Sequence, residues 1–154
     1  MNIRARMLLL KAWFPFAISV AAGLAVAVET PSAADVQRHH AAINQALTTA
    51  APFKTAVESY RRHHDDFPSS NSEAGLQPPD MYKNPDVHQV AIDRGGVINV
   101  TLTPSSGVDG GVIVLTPNMP KNSDDFAVEW KCTTANYSDA SDATLGLCEY
   151  TKVP

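Results

Sequence analysis

The chain has 154 residues, of which 44% are hydrophobic and 18% are charged. This composition is typical of one globular domain and excludes a disordered or fibrous chain. Twelve basic residues against sixteen acidic ones give a formal net charge of −4, which excludes a generally basic nucleic-acid-binding protein, because such proteins bind by neutralising phosphates. The two cysteines exclude a disulfide-dense miniprotein and a zinc site made of four cysteines.

The first 34 residues differ in composition from the rest of the chain. Three basic residues precede an uncharged apolar stretch at 12–28, and small residues follow it. This order is typical of a secretory signal peptide, and the stretch is also just long enough for a retained membrane helix. We therefore predict that residues 1–34 are either a cleaved signal peptide or a membrane anchor. Residues 35–154 are then an exported domain.

A helical pattern opens this domain. Apolar residues recur at spacings of three and four from Ile43 to Tyr60, which predicts an amphipathic helix. Either Ser32 or Asp35 is suited to cap its N-terminus. We predict a helix over 35–66.

Pro52 lies inside this pattern and predicts a kink rather than the end of the helix. It also divides the apolar stripe into two sets. We expect the set after it to be buried against the sheet and the set before it to be more exposed in the monomer. The set before it is Ile43, Leu47 and Ala50, and the set after it is Phe53, Val57 and Tyr60.

Proline, glycine and small polar residues dominate 67–85, which predicts an irregular connection. Its apolar residues are the expected anchors to the core. They are Phe67, Leu76, Met81 and Tyr82.

Beyond this connection the apolar period changes to two. Four runs with this period are separated by segments that contain glycine or proline, which predicts an antiparallel meander over 87–132. The runs are 87–93, 97–103, 112–116 and 126–132. One long N-terminal helix packed on a four-stranded antiparallel sheet is an α+β fold, with the apolar stripe of the helix on one face of the sheet.

The two cysteines enclose a segment that has few apolar side chains. In an exported protein a disulfide between Cys132 and Cys148 can persist, and closing a loop of this size stabilises by roughly 3 kcal/mol. Such a bond is expected to pin the loop 132–148 to the edge of the fourth strand. Within the loop, Tyr137 has polar neighbours, so we expect it to be an exposed aromatic side chain.

No pattern in the chain indicates catalysis, a cofactor or a metal. The pairs His39–His40 and His63–His64 lie too far apart on one helix to share an ion, so we interpret them as solvated helix surface. The acidic residues near the C-terminus lack the twelve-residue calcium loop of an EF-hand. We expect a protein that is not an enzyme and needs no cofactor.

The charges also argue against nucleic acid as a partner. From Asp35 onward there are nine basic and fifteen acidic residues. Near the loop, five acidic residues outnumber three lysines, so the local charge repels phosphates. We expect contact with a protein or a carbohydrate through the loop, with Tyr137, Asp139 and Asp142 as the contact residues.

Several pieces of the chain, in the same order, resemble the type IV pilin family. They are 50–60, 67–76, 95–102, Leu115-Thr116-Pro117, and Trp130-Lys131-Cys132 with Cys148. The resemblance covers about residues 43–150. It implies a long helix on an antiparallel sheet, a C-terminal loop closed by a disulfide between Cys132 and Cys148, and a non-catalytic role in a pilus.

The N-terminal segment departs from the family pattern. Pilins open their mature helix, after a leader that ends in glycine, with phenylalanine, a few apolar residues and a glutamate. The corresponding stretch here, 11–15, has no glycine before it and carries Pro15 in place of the glutamate.

Two functions follow from the resemblance and this departure. The first is a structural or accessory pilus subunit that serves surface adhesion or assembly. Its partners are other pilin subunits or assembly proteins, and its place is the cell surface or the inner membrane. The second is a soluble periplasmic or secreted pilin-like module that recognises or caps a partner.

Overall fold

The computed structural model describes residues 31–119, 127–140 and 148–152. One helix, α1 (Ala33–His64), packs on a sheet of five strands in the order β1-β2-β3-β4-β5. The strands are β1 (Val87–Asp93), β2 (Val97–Leu102), β3 (Val112–Asn118), β4 (Glu129–Thr134) and β5 (Glu149–Tyr150). The predicted α+β arrangement is confirmed, with one strand more than expected.

The predicted signal peptide or anchor lies almost entirely in residues 1–30, outside the described residues. Within the described part, no helix combines the length and the apolar character that a membrane crossing requires.

α1 begins two residues before its predicted start because Ser32 is the N-cap. The Ser32 hydroxyl accepts a hydrogen bond from the Asp35 N–H (3.2 Å), and the Asp35 carboxylate accepts one from the Ser32 N–H (3.3 Å). This capping box satisfies N–H groups that the first turn leaves without partners. The hydrogen bonds that the Ser32 hydroxyl and N–H donate hold the pKa of Asp35 below its ordinary value.

The helix runs through Pro52 without interruption and ends before Asp65, whose backbone is left-handed (φ 55°). This end lies two residues before the predicted one. Asp65 donates its N–H to the carbonyl of Arg61 (3.2 Å), which satisfies one of the last free carbonyls of the helix.

The expected division of the helix at Pro52 is wrong. Ile43 and Ala50, before the proline, are as fully buried as Phe53 and Val57 after it. The reason is that the three-to-four spacing continues across Pro52 and that the segment 104–106 packs on α1. Gly107, which follows this segment, lies next to His39 in the N-terminal half of the helix. The fully buried stripe is Ile43, Ala46, Ala50, Phe53 and Val57.

The connection between α1 and the sheet contains a 3₁₀ helix, Pro79–Tyr82. Leu76 and Tyr82 pack against the core as expected, and the Tyr82 ring meets Phe53 edge to face at 4.6 Å. Met81 is not an anchor, because its side chain is 66% exposed. In a tight 3₁₀ turn neighbouring side chains point in different directions. The Tyr82 side chain points towards the core, and that of Met81 points to solvent.

The hairpin between β1 and β2 approaches α1 closely. Gly96 has a positive φ of 72°, and a Cβ there would lie 3.0–3.2 Å from atoms of Val57 and Phe67. Glycine is therefore required both by the turn and by the contact with the helix.

The later strands differ from their predicted bounds. β4 begins later than predicted. It also ends later, because Thr133 and Thr134 pair with Glu149 and Tyr150 of β5. β5 has only two residues and runs parallel to β4. A strand this short carries no recognisable period, so the sequence pattern could not reveal it.

Replacing Ile43 by alanine is expected to lower the free energy of unfolding by about 2–5 kcal/mol, the usual loss when a large buried side chain is truncated. Leu47→Ala is the matched control on the same half of α1, because Leu47 is only partly buried, and we expect less than half of that loss. Denaturant unfolding of both variants measures the difference. Equal losses would contradict the continuous stripe.

Candidate functional site

The C-terminal loop is closed by a disulfide between Cys132 of β4 and Cys148, the residue before β5. This bond lies at the point where β5 joins the sheet in parallel with β4. Lys131 and Glu149 form an ion pair beside it (2.8 Å), with both side chains more than half exposed, so the pair adds little to stability. The expected attachment of the loop to the fourth strand is therefore present.

Tyr137 is fully buried, so the expectation that it is exposed is wrong. Its hydroxyl donates to Ser106 Oγ (2.7 Å), and its ring lies against Gly111 so closely that a Cβ on that glycine would overlap it. The polar neighbours Asn136 and Ser138 are exposed while Tyr137 points inward. Tyr137 can be buried because the fold provides a partner for its hydroxyl.

Asp139 is also drawn into the fold. Its carboxylate lies 3.0 Å from Nδ1 of His39 on α1, and the two side chains are only 7% and 12% exposed. The His39 ring in turn packs edge-on against Tyr137, with centroids 5.1 Å apart. His39 was expected on a solvated surface, and that expectation is wrong because a residue one hundred positions away covers it.

The first half of the loop is therefore held by side chains as well as by the disulfide. Thr134 Oγ1 donates to the Val112 carbonyl (2.8 Å), and Asn136 Oδ1 accepts from the Val112 N–H (2.9 Å). Asp142, the third expected contact residue, lies outside the described residues. Partner contact by the loop remains a prediction, and its exposed described residues include Ala135, Asn136 and Ser138.

Burial raises the pKa of Tyr137, the hydrogen bond from its hydroxyl to Ser106 opposes this, and the nearby carboxylate of Asp139 adds to it. The net effect favours the neutral phenol in the folded state. Its partner Ser106 is itself buried, so a phenolate at this position would lose most of its solvation.

A second polar contact joins the other half of α1 to β4. Trp130 Nε1 donates to Glu58 Oε1 (2.8 Å), and Lys54 Nζ lies 5.6 Å from the centroid of the indole. Trp130 is partly buried against the core, as expected. Glu58 thus has a structural partner, and the arrangement orients the start of β4 on the helix.

The face of α1 that points away from the sheet is formed by small, uncharged residues, which we call the outer helix face. Thr48 and Thr55 donate their hydroxyls to the carbonyls four residues earlier (2.9 and 3.4 Å), so these hydroxyls need no outside partner. The exposed residues of the face are Ala41, Asn44, Thr48, Ala51, Pro52 and Thr55. The three-to-four period of the sequence already places these residues on one face of the helix. It does not indicate whether other parts of the chain pack on that face.

The histidines at the end of α1 are exposed. His63 Nδ1 lies 2.7 Å from the carbonyl of Ser59, and the His64 ring stacks on Tyr60 at 4.1 Å. Within residues 31–119, 127–140 and 148–152, no group of three or more histidine, cysteine or acidic side chains is arranged to hold a metal ion.

Replacing both cysteines by serine is expected to detach β5 while leaving 134–137 protected. The reason is that Thr134, Asn136 and Tyr137 keep their contacts with Val112 and Ser106. Hydrogen exchange resolved by residue measures this. In the comparison variant His39→Ala, with the disulfide intact, exchange at 137–140 is expected to rise. Loss of protection throughout the loop in the cysteine variant alone would contradict this.

The raised pKa of Tyr137 predicts that the folded state loses stability at alkaline pH. Because its folded pKa is raised, its contribution is fully present below the unfolded pKa of about 10 and is lost as the pH rises through the higher folded value. The unfolding temperature of Tyr137→Phe is expected to fall less steeply with pH above about pH 10 than the unfolding temperature of the wild type. Tyr60→Phe is the control. Parallel alkaline profiles for wild type and Tyr137→Phe would exclude this role.

Comparison with known proteins agrees with this architecture. Residues 40–146 match the family model of pilin, a bacterial filament protein. The chain is 29% identical over 111 residues to the type IV major pilin protein PilE1 of Neisseria gonorrhoeae, which covers 71% of this chain and 66% of that protein. The matched region contains most of α1, the first four strands and most of the loop. The chain belongs to the pilin family.

Proposed function

We propose that this chain is an exported, non-catalytic subunit of a type IV pilus, either structural or accessory, that takes part in assembly or surface adhesion. Membership of the pilin family supports a filament role, and the similarity to a type IV major pilin supports this kind of filament. The observation that carries the proposal is the outer helix face, which is exposed between Ala41 and Thr55 in the part of the chain that the structure describes.

The chemistry of this face suits close packing against other subunits. Between Ala41 and Thr55 it exposes small side chains without a charge, so a neighbouring helix can approach without burying an unpaired charge. The threonine hydroxyls are already satisfied within the helix. Burying these hydroxyls in an interface therefore leaves no unpaired O–H donor.

The loop is the proposed contact with a surface protein or a carbohydrate. Because Tyr137 and Asp139 serve the fold, we assign this contact to the exposed polar residues Asn136 and Ser138. Asp142, which lies outside the described residues, stays a proposed contact on the sequence alone. We propose no nucleic acid as a partner, since acidic residues outnumber basic ones around the loop.

The alternative is a soluble periplasmic or secreted pilin-like module that recognises or caps a partner. The departure at 11–15, where Pro15 replaces the usual glutamate, favours it. The N-terminal residue of the mature protein distinguishes the two functions. A start at Val28 or Asp35 supports the soluble module, whereas a start near Lys11, or an intact Met1, supports a membrane-held subunit.

Ala51→Arg is expected to remove the chain from filaments without unfolding it. Ala51 is exposed in the middle of α1, so the free energy of unfolding should change by less than about 0.5 kcal/mol. The charge would, however, be buried between subunits. Immunoblots of sheared filaments from cells that express the other pilus components measure incorporation.

The control for this experiment is Thr116→Arg, which places the same charge at an exposed position of β3. This variant should enter filaments as the wild type does. Wild-type incorporation of Ala51→Arg would contradict packing through the outer helix face. Absence of the wild-type chain from filaments, together with a mature start at Val28 or Asp35, would favour the soluble module.

A further inference from the structure

β1 is the first strand in the sheet order, and among the strands that the structure describes only β2 pairs with it. A strand in this position presents backbone N–H and C=O groups that another strand can pair with. Its sequence, VHQVAID, is rich in β-branched residues and contains no proline, so it is well suited to such pairing. The preceding connection covers part of this edge. The Asn84 N–H donates to the Val87 carbonyl (2.9 Å), and one side chain of the connection bonds two further backbone groups of β1.

The side chain is Asn71, which is only 5% exposed. Its Oδ1 accepts a hydrogen bond from the Ile92 N–H (2.6 Å), and its Nδ2 donates to the Val90 carbonyl (3.0 Å). A second donation from Nδ2 goes to the carbonyl of Gln77 (2.9 Å). The amide therefore bonds one donor and one acceptor of β1, as a backbone amide of a neighbouring strand would.

The connection around Asn71 is itself fixed. The Glu73 carboxylate accepts from the N–H and the hydroxyl of Ser69 (2.7 and 2.9 Å), and these bonds lower the pKa of Glu73. The carbonyl of Asn71 accepts from the Leu76 N–H (2.8 Å). Asn71 is thus held in place by its own turn.

The two backbone groups bonded by Asn71 are complementary to those of a second copy. Val90 and Ile92 flank Ala91. In an antiparallel pair of β1 strands with its two-fold axis at Ala91, the Ile92 N–H of each copy would donate to the Val90 carbonyl of the other. A cavity of about 550 Å³ lies between this edge and the connection, and the residues that line it include Asn71, Leu76 and Asp93. A second copy can therefore reach the edge only where the connection gives way, and Asn71 is the side chain that bonds the connection to the backbone of β1.

We infer that Asn71 blocks antiparallel pairing of β1 with β1 of a second copy. The amide satisfies within one chain the groups that would otherwise join two chains. It thereby excludes edge-to-edge association and leaves the other surfaces of the chain for specific contacts. This inference concerns the β1 edge and does not depend on the proposed pilus function.

The test is disulfide capture in the full chain. Ala91→Cys places a thiol at the expected two-fold axis, where paired Cα atoms of an antiparallel sheet lie about 4.5 Å apart, close enough for a disulfide. Under mild oxidation, Asn71→Ala combined with Ala91→Cys should form covalent dimers at least tenfold faster than Ala91→Cys alone. The native pair Cys132–Cys148 is kept in both chains.

Two controls separate edge pairing from other association. Thr116→Cys with Asn71→Ala places an exposed thiol on the central strand β3 and should dimerise slowly. Asn99→Ala with Ala91→Cys removes an amide that donates to the Asp93 side chain (2.7 Å), and it should not accelerate dimerisation. Capture of Ala91→Cys that is no faster with Asn71→Ala than without it would overturn the inference, as would equal capture at Thr116→Cys.

If Asn71→Ala does not fold, Asn71→Ser is the second variant to test. The serine side chain is polar but too short to bond the Val90 carbonyl and the Ile92 N–H at the same time. The Ala91→Cys chain with Asn71 intact provides a further measurement. Its slow dimerisation should accelerate in low urea in step with hydrogen exchange of the Ile92 amide. Dimerisation that does not follow this exchange would also overturn the inference.

Discussion

Five side chains of α1, spaced three and four residues apart, are fully buried against one face of the sheet, and the rest of the structure depends on this contact. Burial of a large apolar side chain contributes about 1.5–3 kcal/mol to the free energy of folding. Ile43, Phe53 and Val57 therefore supply much of the free energy that holds the helix on the sheet. The stripe continues across Pro52. The helix is consequently held against the sheet along both of its halves. Its position in turn places His39 and Glu58 for their contacts with the C-terminal region.

Two polar contacts then fix the C-terminal region relative to the helix. His39 bonds Asp139 of the loop near one end of α1, and Glu58 accepts from Trp130 of β4 nearer the other end. Both are partly or fully shielded from water, where the loss of one partner leaves the other unsatisfied and is costly. The disulfide closes the loop, but these contacts and the buried ring of Tyr137 decide how its first half lies on the domain.

The two edges of the sheet and the outer helix face differ in whether other parts of the chain pack on them. Asn71 occupies one edge of the sheet, and the short parallel strand β5 follows β4 at the other. The outer helix face, in contrast, is uncovered and uncharged between Ala41 and Thr55. The proposed filament role needs contacts that form in one geometry only, and a sheet edge bonded by Asn71 together with an exposed helix face favours such contacts.

Local patterns in the sequence determined the elements themselves: the helix through its three-to-four apolar spacing, the first three strands through their period of two, and the hairpin through Gly95-Gly96. These features depend on near neighbours in the chain, so a sequence pattern reveals them. Burial of Tyr137, the pairing of His39 with Asp139, the role of Asn71 and the existence of β5 were decided only by the tertiary structure. Each joins residues far apart in the chain, and a polar side chain has the same local pattern whether water or a distant partner satisfies it.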